Sequence, residues 1–225
     1  MRASLVWCNG WCPQLPASSC SSTTCSAETP GPFGTAEVES PGQERNLLMK
    51  TALIGATGFV GSYVVDALLS RGHEVRLLVR PGSEHRAPSH AACEIVAGDV
   101  EDAEAVARLM NGCEAAAYLI GILREAPERG ITFDALQRAG AERAIDLARS
   151  AGVTRFALMS ANGVEARRTP YQETKWQAER YLADSGLAGV ALRPSVIFGD
   201  PHGRLEFCTE LRDQIVTIVR EGQVR

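Results

Sequence analysis

"LIGATGFVGSYV", residues 53–64, sets three glycines, Gly55, Gly58 and Gly61, three apart directly after an apolar run. Residues 50–55, "KTALIG", read as a buried strand, and Val60, Val64 and Leu68 then recur at helical spacing. Glycines between a first strand and a first helix have distinct uses. The first permits a tight turn, the second lets backbone N–H groups approach a pyrophosphate, and the third allows helix and strand to pack closely. The helix N-terminus adds partial positive charge that favours the diphosphate. The stretch therefore predicts a dinucleotide pocket formed by Gly55, Thr57, Gly58, Phe59, Val60 and Gly61.

The alternation continues outward from this turn. Strands are expected at residues 73–80, 93–100, 113–121, 155–160 and 189–199, and helices at 101–112, 133–150 and 171–185. Acidic residues open the 101–112 helix, Gly112 is placed to stop it, and Gly152 lies just past the 133–150 helix. Such a pattern predicts an α/β, doubly wound (Rossmann) parallel sheet covered on both faces. Residues 49–200 form the expected dinucleotide-binding domain. Residues 201–225 carry helical periodicity and read as the truncated start of a C-terminal substrate lobe, most of which is missing. Residues 1–48, with "PASSCSSTTCS", read as a disordered tail or as translation begun upstream of a true start at Met49.

The net charge of −4 gives no reason to expect nucleic acid or an anionic membrane as a partner. No apolar run approaches the roughly 20 residues that a membrane-spanning helix needs. Cys8, Cys12, Cys20 and Cys25 lack metal-ligand spacing and nearby histidines, so no metal site is expected; Cys93, Cys113 and Cys208 read as small buried hydrophobes. A cytoplasmic location is expected, or an organelle matrix if residues 1–48 are a transit peptide.

"TPYQETKWQAE", residues 169–179, carries the second signal. Thr169 suits an N-cap, Pro170 the first helical position, and Gln172 completes a Thr-x-x-Gln capping box. Tyr171 and Lys175 then fall four apart on one helix face. An ammonium near a phenol stabilises phenolate and lowers its pKa, which suits proton transfer to or from a substrate oxygen. Of the 23 basic residues 21 are Arg, so a lysine at this place looks chosen for its chemistry. A purely structural Tyr–Lys pair is the alternative.

With its GxxGxxG spacing and Tyr-x-x-x-Lys pair, the chain resembles the short-chain dehydrogenase/reductase superfamily, in its extended and atypical branches. The resemblance implies a nicotinamide dinucleotide cofactor. The ribose-reading acid expected at the end of the second strand is absent, and Arg80 stands there in "LLVRPGS". A guanidinium can grip a 2′-phosphate bidentately, so NADP(H) is preferred over NAD(H). By the same resemblance "AGDV", with Asp99 and Val100, contacts the adenine. "YLIG", with Leu119 and Gly121, lies beneath the nicotinamide ribose, where Lys175 also contributes. Ser160, ending the fifth strand, takes the place of the Ser or Thr that orients the carbonyl; turn chemistry alone is its other reading. "SANGV", "PYQETKWQAE" and "LRPSVIFGD" are similar to bacterial NAD-dependent epimerase/dehydratase proteins and to the NAD(P)H-binding accessory subunit of mitochondrial complex I. From the last of these, Pro194 and Ser195 are expected beside the nicotinamide. The implied function is an oxidoreductase or sugar-nucleotide epimerase/dehydratase acting on an unidentified small molecule through Ser160, Tyr171 and Lys175. The alternatives are a non-catalytic NADP(H)-binding module with a protein-complex partner, or an NmrA-like redox-sensing regulator.

Overall fold

A computed structural model describes residues 48–200. The expected tail, the start of the C-terminal lobe and Cys8, Cys12, Cys20, Cys25 and Cys208 lie outside the described residues.

Strands β1 (Lys50–Ile54), β2 (Glu74–Val79), β3 (Cys93–Ala97), β4 (Ala115–Tyr118), β5 (Arg155–Met159) and β6 (Ala188–Leu192) form one sheet in the order β3-β2-β1-β4-β5-β6. Every neighbouring pair is parallel. The order reverses between β1 and β4, which opens a crevice at their C-terminal ends, the position where doubly wound sheets hold ligands.

Period-two alternation sorts the strand residues between two cores. Ala52 and Ile54 of β1 pack with helices α2 (Ala103–Met110), α3 (Gly140–Ser150) and α4 (Pro170–Asp184) on one face. Leu53, between them, packs with Leu77, Val79 and Val65 of helix α1 (Phe59–Ser70) on the other. The central strands are buried on both faces, which is why they read as continuous apolar runs.

Helix boundaries follow from local chemistry. Asp102 caps α2, its carboxylate accepting from the Glu104 and Ala105 N–H groups at 3.0 Å. Gly112 and Gly152 have φ of +71° and +79°, the left-handed conformation that ends α2 and α3. Thr169 caps α4 by accepting from Gln172 N–H at 3.2 Å, with Pro170 at the first helical position. The capping box differs from expectation, because Gln172 Oε1 accepts from the Arg168 N–H, one residue earlier, and Nε2 donates to Gly163 O at 3.1 Å.

Other expectations need correction. The sixth strand stops at Leu192 rather than at 199, since Pro194 lacks the N–H a longer ladder requires. Cys113 is buried as expected, whereas Cys93 is only half-buried because β3 is an edge strand. The helix expected over 133–150 is two pieces, a π-helical segment, Asp134–Ala139, leading into α3. Its cause is visible in the packing. The buried Tyr118 hydroxyl donates to Leu136 O, and a side chain at Gly140 would strike that hydroxyl. Gly140 thus leaves room for the phenol that the widened turn accommodates.

These contacts predict a coupled stability effect. Tyr118→Phe leaves the Leu136 carbonyl without its donor and costs about 1–3 kcal/mol in chemical denaturation. Gly140→Ala is expected to cost less in the Tyr118→Phe background than in the parent, because the atom it strikes is gone. Additive costs would contradict this origin for the π segment.

Candidate cofactor-binding and active site

The glycine turn joins β1 to α1 with little spare volume. Gly55 has φ of +86°, and a Cβ there would lie 3.0 Å from Ile120 N and Leu119 C in the loop after β4. Gly58 N–H donates to Gly55 O at 3.1 Å, closing the turn, and Gly58 is the N-cap of α1 without any side-chain cap. A Cβ on Gly61 would run into the Gly55 carbonyl and come within 2.6 Å of Ala56 Cα. So Gly55 makes the turn, Gly61 lets helix and strand touch, and Gly58 as N-cap supplies no side-chain acceptor to the first α1 amides. No acidic residue stands in the first turn to repel a diphosphate. The cradle fits the pyrophosphate of a dinucleotide.

The expected adenosine-side residues lie at the ends of β2 and β3. Arg80 is exposed immediately after β2, and its carbonyl accepts from Ser83 N–H at 2.9 Å. Asp99 is half-buried and turns the chain after β3 by accepting from Glu101 N–H at 3.2 Å. Val100 is buried, and its carbonyl takes a 3.0 Å bond from Arg143 of α3. Gly98 before them is pressed onto α2, where a Cβ would collide with the Ala105 methyl.

The nicotinamide-side residues converge around one buried cation. Lys175 is 2% exposed, and Nζ donates to Ile120 O at 3.0 Å and Met159 O at 2.7 Å, joining α4 to the ends of β4 and β5. A Cβ on Gly121 would lie 3.8 Å from that Nζ, so the ammonium sits directly beneath the exposed loop after β4. Leu119 N–H, donating to Ile54 O at 2.8 Å, ties this loop to the glycine turn. Burial pulls the Lys175 ammonium down to about 8, against the opposing charge of Glu179.

Ser160 is 3% exposed, and its Oγ has no hydrogen-bond partner among the described residues. A buried hydroxyl without a partner is costly, and an incoming oxygen at the end of β5 would satisfy it. Ser160 N–H donates to Leu192 O and Asn162 N–H to Pro194 O, which brings Pro194 and the exposed Ser195 alongside the serine.

Tyr171 departs from expectation. Its ring stacks edge-on against Phe133, with centroids 5.6 Å apart, and burial pushes its hydroxyl above the ordinary phenol value. Lys175 does not lower it here, because the ammonium is directed at main-chain carbonyls.

Several residues at the site were missed in the sequence. Gln137, fully buried on the π segment, donates to Ile122 O at 3.1 Å and accepts from Thr174 Oγ1 at 3.3 Å, beside Lys175. Its signal was a polar residue inside an apolar helical face. Arg193, next to Pro194, forks onto Glu179 with bonds of 3.0, 3.1 and 2.6 Å and reaches Glu165 at 2.5 Å. Glu179, one helical turn beyond Lys175, was the available hint.

Among known proteins, the family described as NAD(P)H-binding matches residues 55–220. A 3 beta-hydroxysteroid dehydrogenase/Delta 5→4-isomerase of Mycobacterium tuberculosis is 31% identical over 180 residues, covering 68% of this chain and 48% of its own. A ceramide reductase of Caulobacter vibrioides is 32% identical, covering 66% and 46%. An uncharacterized sugar epimerase of Bacillus subtilis is 30% identical, covering 68% and 74%. The chain spans about half the length of the first two. Among solved structures, the Bordetella bronchiseptica enzyme WbmH in complex with NAD+ aligns with a TM-score of 0.64 at 18% identity, covering 76% of this chain and 63% of that one. A short-chain dehydrogenase/reductase superfamily protein of Agrobacterium tumefaciens with bound NAD aligns at 0.54 and 26% identity, covering 64% and 48%. These likenesses support a nicotinamide dinucleotide as the cofactor, and the chain belongs to the NAD(P)H-binding family of atypical short-chain dehydrogenase/reductase and epimerase-like proteins.

Proposed function

We propose that this protein is an NADP(H)-dependent oxidoreductase that reduces the carbonyl of a small molecule, with Ser160, Tyr171 and Lys175 as its catalytic residues. The observation that carries the reading is the buried Lys175 ammonium at the crevice, beside a buried serine hydroxyl that lacks a partner. An ammonium has three donors, and Ile120 and Met159 take two, which leaves one for a ribose hydroxyl. A nicotinamide dinucleotide held with its diphosphate at the glycine turn would supply the hydride. Ser160 Oγ donates to the substrate oxygen and orients it. Tyr171 gives its proton to the same oxygen. Arg80, exposed after β2 where a ribose-reading acid would otherwise stand, supports NADP(H) over NAD(H). A steroid dehydrogenase and a ceramide reductase among the relatives support redox turnover of an alcohol or ketone; the sugar epimerase relative supports the epimerase alternative.

Fluorescence titration should give tighter binding of NADPH than of NADH, and Arg80→Ala should weaken NADPH by about tenfold or more while sparing NADH. Equal affinities in the parent would contradict the Arg80 assignment. Tyr171→Phe should keep cofactor affinity and lose about 10²–10⁴-fold in NADPH-dependent reduction across a panel of ketones and sugar nucleotides. Binding by the parent without turnover of any panel member would favour a non-catalytic module. Lys175 is an ammonium below about 8 and neutral above. NADPH affinity should therefore fall as pH rises through about 8, an inflection that Lys175→Met abolishes.

A further inference from the structure

Arg193 stands where three pieces of the site meet. It follows β6, and the ladder from β5 continues on both sides of it through Ser160 N–H to Leu192 O at 2.8 Å and Asn162 N–H to Pro194 O at 2.9 Å. Its guanidinium leaves that ladder toward α4. Nε bonds both Glu179 oxygens at 3.0 and 3.1 Å, Nη2 bonds Glu179 Oε2 at 2.6 Å, and Nη1 bonds Glu165 Oε1 at 2.5 Å. Glu165 lies in the short turn Val164–Ala166 after β5. The guanidinium also lies 5.6 Å from the centre of the Trp176 ring, the neighbour of Lys175 in sequence. Glu179 is 8% exposed, so its carboxylate is removed from water and depends on this fork.

We propose that Arg193 is the positioning residue of the active site: through its fork on Glu179 and its bond to Glu165 it fixes the Ser160, Lys175 and Pro194 segments as one unit and screens the Glu179 carboxylate from the Lys175 ammonium. This rests on the oxidoreductase reading for its catalytic consequence, but the arrangement itself is a property of the protein alone. Charge on one helix face passes from Lys175 to Glu179 one turn on, and from there to Arg193. Among the described residues, the groups that bond the Lys175 ammonium are the uncharged Ile120 and Met159 carbonyls. Glu179 is the charged neighbour that acts on it, favouring the ammonium.

The chain has only two lysines, Lys50 and Lys175, so protein labelled with ¹³C,¹⁵N-lysine gives two side-chain signals. The titration midpoints are read without cofactor, so their failure is separate from failure of the oxidoreductase reading; only the NADPH affinity of Arg193→Lys needs a cofactor, and it needs binding alone, not turnover. Lys50→Arg assigns the signals. In the full chain, Glu179→Gln should lower the Lys175 titration midpoint by about half a unit or more, and Arg193→Met should raise it by a similar amount. Arg193→Lys keeps the charge but loses the fork and adds a third lysine signal, identified by its absence from the parent; it should leave the Lys175 midpoint near the parent value while weakening NADPH severalfold. Opposite shifts support the proposal, whereas midpoints unmoved in both variants, or moved in the same direction, overturn it. Should Arg193→Met fail to fold, Glu179→Gln and Arg193→Lys decide. An unmoved midpoint in the first, or unchanged NADPH affinity in the second, overturns the proposal.

Discussion

The architecture depends on a close approach of backbone to backbone. At the start of α1 no side chain fits between Gly61 and the Gly55 carbonyl, and Gly55 itself is packed against Ile120 and Leu119. Three chain segments therefore meet without intervening side chains. That contact fixes α1 over β1 and fixes the β4 loop beside the turn, so the amide end of α1 and the β4 loop lie side by side across the switch point. An extra methyl at Gly61 would have to displace main chain, which the close-packed interior resists.

A second constraint is electrostatic and completes the first. Lys175 places an ammonium with almost no access to water among carbonyls at the ends of β4 and β5. A buried cation is tolerated only where its donors are satisfied and its charge is balanced. Main-chain oxygens supply the first need, and Glu179, held by Arg193, contributes to the second. The cost of this burial makes the lysine responsive, since its proton is held less tightly than an exposed lysine holds its own. Ser160 adds a second polar group there, a buried hydroxyl without a partner among the described residues, free to bond a ligand at the end of β5.

Much of this was legible in the sequence because the signals are local. Gly55, Gly58 and Gly61 sit between an apolar strand and an apolar-periodic helix, and their spacing carries their roles. Asp102, Gly112, Gly152 and Thr169 mark helix ends through bonds to residues only a few positions away. What escaped is what depends on distant partners. The π segment exists because Tyr118 and Gly140, 22 positions apart, share one space, and nothing in residues 133–150 alone announces it. Arg193 meets Glu179 and Glu165 across 14 and 28 positions. Tyr171 and Lys175 lie four apart on α4, but their spacing alone does not set the direction of the phenol's shift. Spacing does not tell that Lys175 turns into the sheet while Tyr171 packs on Phe133.

The central claim is that the glycine turn, Lys175 and Ser160 belong to one cofactor-and-substrate site. A crystal structure of the protein grown with NADP+ tests it most directly. The account predicts the diphosphate on the α1 amides at Phe59 and Val60, the 2′-phosphate at Arg80, and a nicotinamide ribose hydroxyl bonded to Lys175 Nζ. A dinucleotide bound with its nicotinamide ribose away from Lys175, or with its diphosphate away from the start of α1, would contradict it.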